Sequence, residues 1–432
     1  MRASRYMNPI QTASVIIFLL SIILIVTERI HRMYAALLGS GAMVFVGAVS
    51  AEEVLHFIDI EILGVIVGMM LLVRGAERSG IFNLFAKKIT KVSKSITAFA
   101  IVLMLLTLIL SMLLNNIGAM LIVATITIPL AKALKIKSET FLIFQAIVVN
   151  IGGMMLLMSS IPNIIVAVEG GLSFSSFLVN IAPIGIILFV VTLLIFLRLF
   201  SSEVEKGIAQ EMRSIEFSDW VNISLMELDE KGEVWRMAVA ALIMGFTIIG
   251  FAVYDQFGLT PAFVAMAGGF LMIMFSGEGP VESLRGIDWS TVIFLAGLFV
   301  LVNSLDHNGL IDMLSDWMLN FVDSLPLNVP TAVMWISAVP SGVIDNIPLT
   351  ATLAPVMNRW IQAGASPKIW WGLVLGANLG GCLTPIGSPS SIIAIGVAER
   401  EGHPIPLGRF FVICFGVTMV NLFVSSIYLY FL

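Results

Sequence analysis

The sequence predicts an all-α integral membrane protein of two inverted-topology repeats, each with about five crossing helices, a re-entrant hairpin and a broken helix. Three observations carry that prediction. Apolar runs of about 17–25 residues, the length that spans a bilayer core, recur along all 432 residues. The second half of the chain repeats the first in register. Each half also interrupts its apolar runs with Asn-rich, helix-breaking turns at matching places.

Composition sets the class. Apolar residues make up 59% and charged residues 12% of the chain, and the mean hydropathy is +1.03. A soluble domain is nearer a quarter charged. The first apolar run, Ala13–Val26, is about as long as a signal-peptide core. It is followed by Thr27-Glu28-Arg29-Ile30-His31-Arg32 with no small-residue cleavage site, so it reads as a spanning helix. Two cysteines, Cys382 and Cys414, cannot form a disulfide framework. No GxxxxGK[ST] loop is present, so ATP-driven pumping is not expected. Whether a separate soluble ATPase subunit attaches is open, and no nucleic-acid partner is expected.

The duplication shows at polar and small positions. Gly39 matches Gly268, Asp59 matches Asp288, Gly68 matches Gly297, and Ser79-Gly80-Ile81 matches Asn308-Gly309-Leu310. Asn115 falls opposite Asp345, Asn150 opposite Asn378, and Ser160 opposite Ser388, at an offset of about 228–230. The copies span residues 8–200 and 236–432. Residues 201–235 between them are polar and acidic, and read as a cytoplasmic linker.

Charge orients the copies. The loop Arg74–Ser95 holds Arg74, Arg78, Lys87, Lys88, Lys91 and Lys94 against one acid, Glu77. Its counterpart, Asn303–Ser324, holds Asp306, Asp312, Asp316 and Asp323 and no Lys or Arg. Lys and Arg concentrate on the cytoplasmic side, so the first loop is inside, the second outside, and the copies are inverted. Arg29 and Arg32 put the first connection inside; the connection with Glu52 and Glu53 lies outside. Thr97–Leu114 and Ile117–Leu134 carry lysines at both outer ends, which fits a hairpin dipping in from the cytoplasm. Phe141–Val166 then crosses with a break at Ser159–Asn163, and Ser176–Leu199 returns. Arg2 and Arg5 dissent, because this scheme puts the N-terminus outside. Inverted repeats with interrupted helices at midplane are how secondary transporters build a central site.

Asp345 is the sharpest candidate for chemistry. It lies within the otherwise uncharged run Val339–Met357, where a carboxylate is costly unless solvated, paired or protonated. Burial would favour its protonated form, which suits a proton carrier; the competing reading is an N-cap of a half-helix. Glu61, at the start of the third helix, is a second proton-path candidate. Asp59 and Asp288 read as helix caps.

Asn115, Asn116 and Asn346 are candidates for holding substrate through their amides, against helix capping and interhelical bonding. Asn150 with Gly152 and Gly153, and Asn378 with Gly380 and Gly381, read equally as binding positions or as sites of close helix approach. Ser159, Ser160, Pro162 and Asn163, with Gly387, Ser388, Pro389, Ser390 and Ser391, break a helix and expose the N-terminus of the next half-helix to a polar group. His31, His56, His307 and His403 have no metal spacing. Cys382 follows Gly380-Gly381, and whether it touches substrate stays open.

Together these motifs resemble the ion transporter superfamily, in the branch of arsenite permeases, sodium/proton antiporters of the NhaD type and the melanosomal P protein. The branch's Leu-Asp-Asn-type turn stands as Leu114-Asn115-Asn116 and Ile344-Asp345-Asn346. Its Asn-Ile-Gly-Gly stretch is intact at Asn150–Gly153. Its Gly-Asp-Pro-Pro-Asn stretch is altered to Ser159-Ser160-Ile161-Pro162-Asn163. Thr27–Arg32 followed by Ala35-Ala36-Leu37-Leu38-Gly39 looks like the branch's early signature. The resemblance implies a scaffold body, a mobile transport body holding both hairpins and both broken helices, elevator-like movement and a homodimer.

Two acids of that pattern are replaced here, by Asn115 and Ser160. Losing them disfavours a multi-charge cation site. It favours a neutral solute exchanged for a proton, and no ring of Arg or Lys is evident for a dicarboxylate. The expected function is therefore proton-coupled efflux of arsenite or antimonite by alternating access across the plasma (inner) membrane, not enzymatic turnover. A sodium/proton antiporter is the alternative and a passive anion channel a further one. No cofactor is expected beyond a proton or sodium as coupling ion.

Overall fold

A computed structural model describes residues 7–27, 29–81, 96–133, 138–207, 234–402 and 404–432. Arg2, Arg5, Glu28, His403, the lysine-rich stretch 82–95, residues 134–137 and most of the linker, 208–233, lie outside the described residues. Those described are helical almost throughout.

The first copy runs α1 (Pro9–Thr27), α2 (Arg32–Phe45), α3 (Ala51–Phe57), α4 (Ile60–Arg78), α5 (Ile96–Leu113), α6 (Asn116–Ala133), α7 (Ser138–Met155), α8 (Ile161–Gly170), α9 (Phe174–Asn180) and α10 (Ala182–Gly207). The second runs α11 (Val234–Val253), α12 (Pro261–Ser276), α13 (Pro280–Arg285), α14 (Trp289–His307), α15 (Leu310–Asp323), α16 (Val329–Ser341), α17 (Asn346–Gln362), α18 (Ile369–Gly380), α19 (Pro389–Arg400) and α20 (Leu407–Phe431). Six of these helices are long and apolar enough to cross a membrane, or eight if two bent pairs count as single spans.

Packing is reciprocal between the copies. Helix α4 packs on α12 and α2 on α14; α5 packs on α7 and α16 on α18; α6 packs on α19 and α17 on α8. Each copy thus completes the other, as inverted repeats require. The matched glycines explain the closeness. A Cβ on Gly39 would lie 2.2 Å from Ser21 Oγ on α1, and one on Gly268 would lie 2.3 Å from Thr247 Oγ1 on α11. At Gly68 it would lie 2.3 Å from the backbone of Ala265, where α4 crosses α12.

Three elements differ from the sequence expectation. The acidic stretch Asn303–Ser324, expected as a loop, is formed by the end of α14 and the helix α15, one apolar side of which packs while Asp312 and Asp316 face out. The break in the first copy opens at Leu156, three residues early, with a short 3₁₀ turn over Leu157–Ser159. The apolar run Ser176–Leu199 is two helices, α9 and α10. Pro183 lacks a donor and disfavours helix at the residue before it, so the chain restarts there.

Asp59 and Asp288 cap α4 and α14, accepting from Ile62 N at 2.9 Å and Thr291 N at 3.1 Å. The polar connections thus close helix ends, while the long apolar faces are left outward.

Candidate functional site

The two Asn turns converge on one cavity of about 260 Å³. Its walls include Asn115, Asn116, Ser159, Ser160, Pro162 and Asn346. The opposite wall comes from α4 (Ile66, Met69, Met70, Val73, Arg74 and Glu77), with Arg32, Gly286, Asp288 and Thr291. Val73, Arg74 and Glu77 belong to the end of α4 that the lysine count assigns to the cytoplasm. By that assignment the cavity opens inward.

The hairpin turns end their helices in the same way. Asn115 Oδ1 accepts from Gly118 N at 2.7 Å at the start of α6. Asp345 Oδ1 accepts from Ile347 N at 3.0 Å at the start of α17. Asp345 is therefore a cap, and it is also held by Arg32 Nη1, 3.4 Å from Asp345 Oδ2, with both side chains 23% exposed. Arg32 reaches further, donating to Thr291 Oγ1 at 2.8 Å, and Thr291 Oγ1 donates to Asp288 Oδ2 at 2.5 Å. The Arg32 guanidinium lies over Phe294, 5.3 Å from the ring centroid. On the same wall, Arg74 holds Glu278 through two bonds, of 2.9 and 2.7 Å. That two-point grip holds the Glu278 carboxyl below the usual glutamate range.

The broken helices behave differently from the hairpins. Ser160 and Ser388 occupy the N-cap positions of α8 and α19, with Pro162 at the second position of α8 and Pro389 at the first of α19, but neither side chain caps its own helix. Each reaches into the other copy. Ser160 Oγ donates to Asn378 Oδ1 at 3.0 Å, and Ser388 Oγ donates to Asn150 Oδ1 at 3.1 Å. Asn150 Nδ2 donates to Ser388 Oγ and Ser390 Oγ at 3.0 and 2.8 Å, and Asn378 Nδ2 donates to Asn163 Oδ1 at 3.1 Å. Asn163 Nδ2 in turn satisfies the loosened carbonyls of Gly153, Met154 and Leu156. The break serines thus brace the two copies, and the start of α8, where Ile161 and Pro162 line the cavity, has no side-chain cap.

Asn150, Asn163, Asn378, Ser388, Ser390 and Ser391 are fully buried and stand behind the wall, not in it. Asn116 joins the two layers: its Nδ2 donates to Asn150 Oδ1 at 3.1 Å, while its buried Oδ1 has no hydrogen-bond partner among the described residues. The glycines provide clearance. A Cβ on Gly153 would lie 2.3 Å from Asn116 Oδ1, one on Gly380 would lie 2.3 Å from the Ala338 carbonyl, and one on Gly387 would lie 2.8 Å from the Gly381 carbonyl. Cys382 is buried away from the cavity walls. Glu61 sits in the first turn of α4, toward the end of that helix away from the cavity.

Sequence reasoning missed Arg32, Arg74, Glu77, Asp288 and Thr291 as cavity residues. Arg32 and Arg74 were visible only as topology markers, and their inward placement comes from contacts with residues more than 200 positions away.

Two crossed-over repeats, with hairpin tips and helix breaks meeting at one polar cavity, define a membrane transporter. The chain belongs to the family whose model is described as "Citrate transporter", matched over residues 22–376 and again over 258–432. That places it in the ion transporter superfamily. It is 30% identical over 430 residues to an "Uncharacterized transporter" of Mycobacterium tuberculosis, covering 96% of this chain and 97% of that one. It is 27% identical over 497 residues to the P protein of Homo sapiens, covering 94% of this chain and 58% of that protein. Its fold is similar to the YdaH transporter of Alcanivorax borkumensis, with a TM-score of 0.62 at 12% identity, covering 98% of both chains.

Proposed function

We propose that this chain is a secondary active transporter that carries a small, neutral, hydroxylated solute outward in exchange for protons, with undissociated arsenite or antimonite as substrate. One observation carries the reading: both arginines on the cavity wall are already held by carboxylates, Arg32 by Asp345 and Arg74 by Glu278. Apart from the acids Glu77 and Asp288, the groups left to meet a solute are uncharged. They are the amides of Asn115, Asn116 and Asn346, the hydroxyl edge at Ser159 and Ser160, and the backbone donors that open α8. Such a set matches hydroxyls, which both donate and accept. A sodium ion would meet the positive end of α8 and the Arg32 guanidinium, which oppose it. Asp345 adjoins the lining residue Asn346 and pairs with the lining residue Arg32, and a proton and the solute compete through that pairing.

Inside-out membrane vesicles test this. Arsenite enters the lumen faster when the lumen is made acid; if its entry is the same with and without the imposed gradient, the reading fails.

A second reading, a small carboxylate, draws on the placement of Arg32 and Arg74 in the wall and on the family's description. It requires Arg32 to exchange Asp345 for the substrate. Citrate that moves across the membrane and competes with arsenite supports it.

A further inference from the structure

We propose that Glu169 is the outer proton-loading carboxylate of the transport cycle, separate from Asp345 at the cavity; this rests on the proton-coupled reading above. Glu169 lies in the last turn of α8, the half-helix whose first turn forms the cavity wall. Its Oε2 accepts from Asn358 Nδ2 of α17 at 2.9 Å, and α17 is the half-helix that Asp345 starts. The two helices that hold substrate at one end therefore hold this carboxylate at the other.

Its surroundings distinguish it from the other acids in the body of the protein. Asp345 has Arg32, Glu278 has Arg74, and Glu139 has Arg409. Among the described residues, Glu169 forms no ion pair. The cation next to its partner Asn358, Arg359, is taken by Asp306 and Asp312. The charged groups facing Glu169 are Asp59 at the cap of α4 and Asp306 on α14. Glu61 stands in the first turn of α4, and α18, which also packs on α8, contains no ionisable residue.

An ion pair holds a carboxylate in its charged form, whereas one among acids without a counter-ion exchanges protons with the water it meets. Among the described residues no three acids, cysteines or histidines converge closely enough to hold a metal ion, so the group suits a proton rather than a bound cation. Asp306, on α14, and Asp312, on α15, belong to the acidic stretch that the charge count places outside. The inward-open cavity and the outward-reaching Glu169 thus face opposite sides of the membrane in one conformer.

The test uses the full chain in inside-out vesicles, whose lumen is the outer face, with arsenite as probe. In the wild type, acidifying the lumen accelerates arsenite entry by at least about fivefold, the lower end of ordinary coupling between two sites. Glu169→Gln removes that acceleration and keeps arsenite counterflow at equal pH. A Glu169→Gln protein that still responds to lumen pH overturns the proposal and leaves the proton-coupled reading standing. A wild type with no lumen response overturns both. Should Glu169→Gln lack counterflow, Glu169→Asp decides: it keeps the lumen response with a displaced midpoint, or the proposal fails. A substrate-free arm keeps the two ideas apart. Infrared difference spectra of the purified chain across a pH step show a protonated-carboxyl band that is absent from Glu169→Gln; a band unchanged in that variant overturns the proposal.

Discussion

Replacing Asn150 with alanine tests whether the two copies are held together by their exchanged serines. Asn150 is fully buried and bonds three side chains outside its own helix: Asn116, Ser388 and Ser390. Interhelical hydrogen bonds in membrane proteins are worth about 0.6 kcal/mol each, with a maximum near 1.7, so losing the four bonds to these side chains costs about 2 kcal/mol. Orphaned buried groups would raise this by about 1–3 kcal/mol each. Ser388 and Ser390 keep each other at 2.8 Å, however, which holds the total near the lower figure. Ser388→Ala loses its bonds to Asn150 and to Ser390 and costs about 1 kcal/mol on the same scale. The double variant therefore falls short of the sum by about 1 kcal/mol, because the shared bonds are removed once. Unfolding of the purified chain in mixed micelles by rising detergent charge measures all three. Additivity within about 0.3 kcal/mol would refute the bracing argument. The mirror pair, Ser160 and Asn378, shares one bond and gives a smaller coupling.

Two further outcomes follow from the packing and the charges. Gly380→Ala drives a methyl into the Ala338 carbonyl, 2.3 Å away, and lowers stability by about 1–3 kcal/mol, read as a lower thermal midpoint; an unchanged midpoint shows that α16 and α18 can part freely. Glu278, held below its ordinary value of 4.5 by Arg74, contributes stability that is complete above that value and is lost as pH falls through its lower folded value. Glu278→Gln accordingly lowers the thermal midpoint at neutral pH and flattens its fall in acid, and a variant with the wild-type acid limb contradicts the pairing.

Much of this architecture was legible before any coordinates. Register held at glycines and polar turns, and these are the positions where helices touch or end: Gly39 against Ser21, Gly268 against Thr247, Asp59 and Asp288 as caps. The turns at Asn115 and Asp345 were recognisable because a half-helix needs an acceptor at its start. The partners of the break residues were not legible. Ser160 reads locally as a cap for α8, yet its hydroxyl is used 218 residues away. Nor could the sequence pair Arg32 with Asp345, 313 residues apart, since an arginine at a helix start looks the same whether it faces solvent or a cavity. The Pro183 restart was overlooked because an apolar run conceals a missing donor.

The exchanged serines also bear on how the molecule is made. Synthesis proceeds from the first copy, so Asn150 enters the bilayer while residues 388 and 390 are still untranslated. Until they arrive its amide has only the Ala146 carbonyl of its own helix and Asn116 of the same copy, and the serine bonds of the finished protein are missing. Maturation is therefore gated by about the last tenth of the sequence. Neither half expressed alone closes its interior, and two halves supplied as separate polypeptides have a chemical reason to find each other.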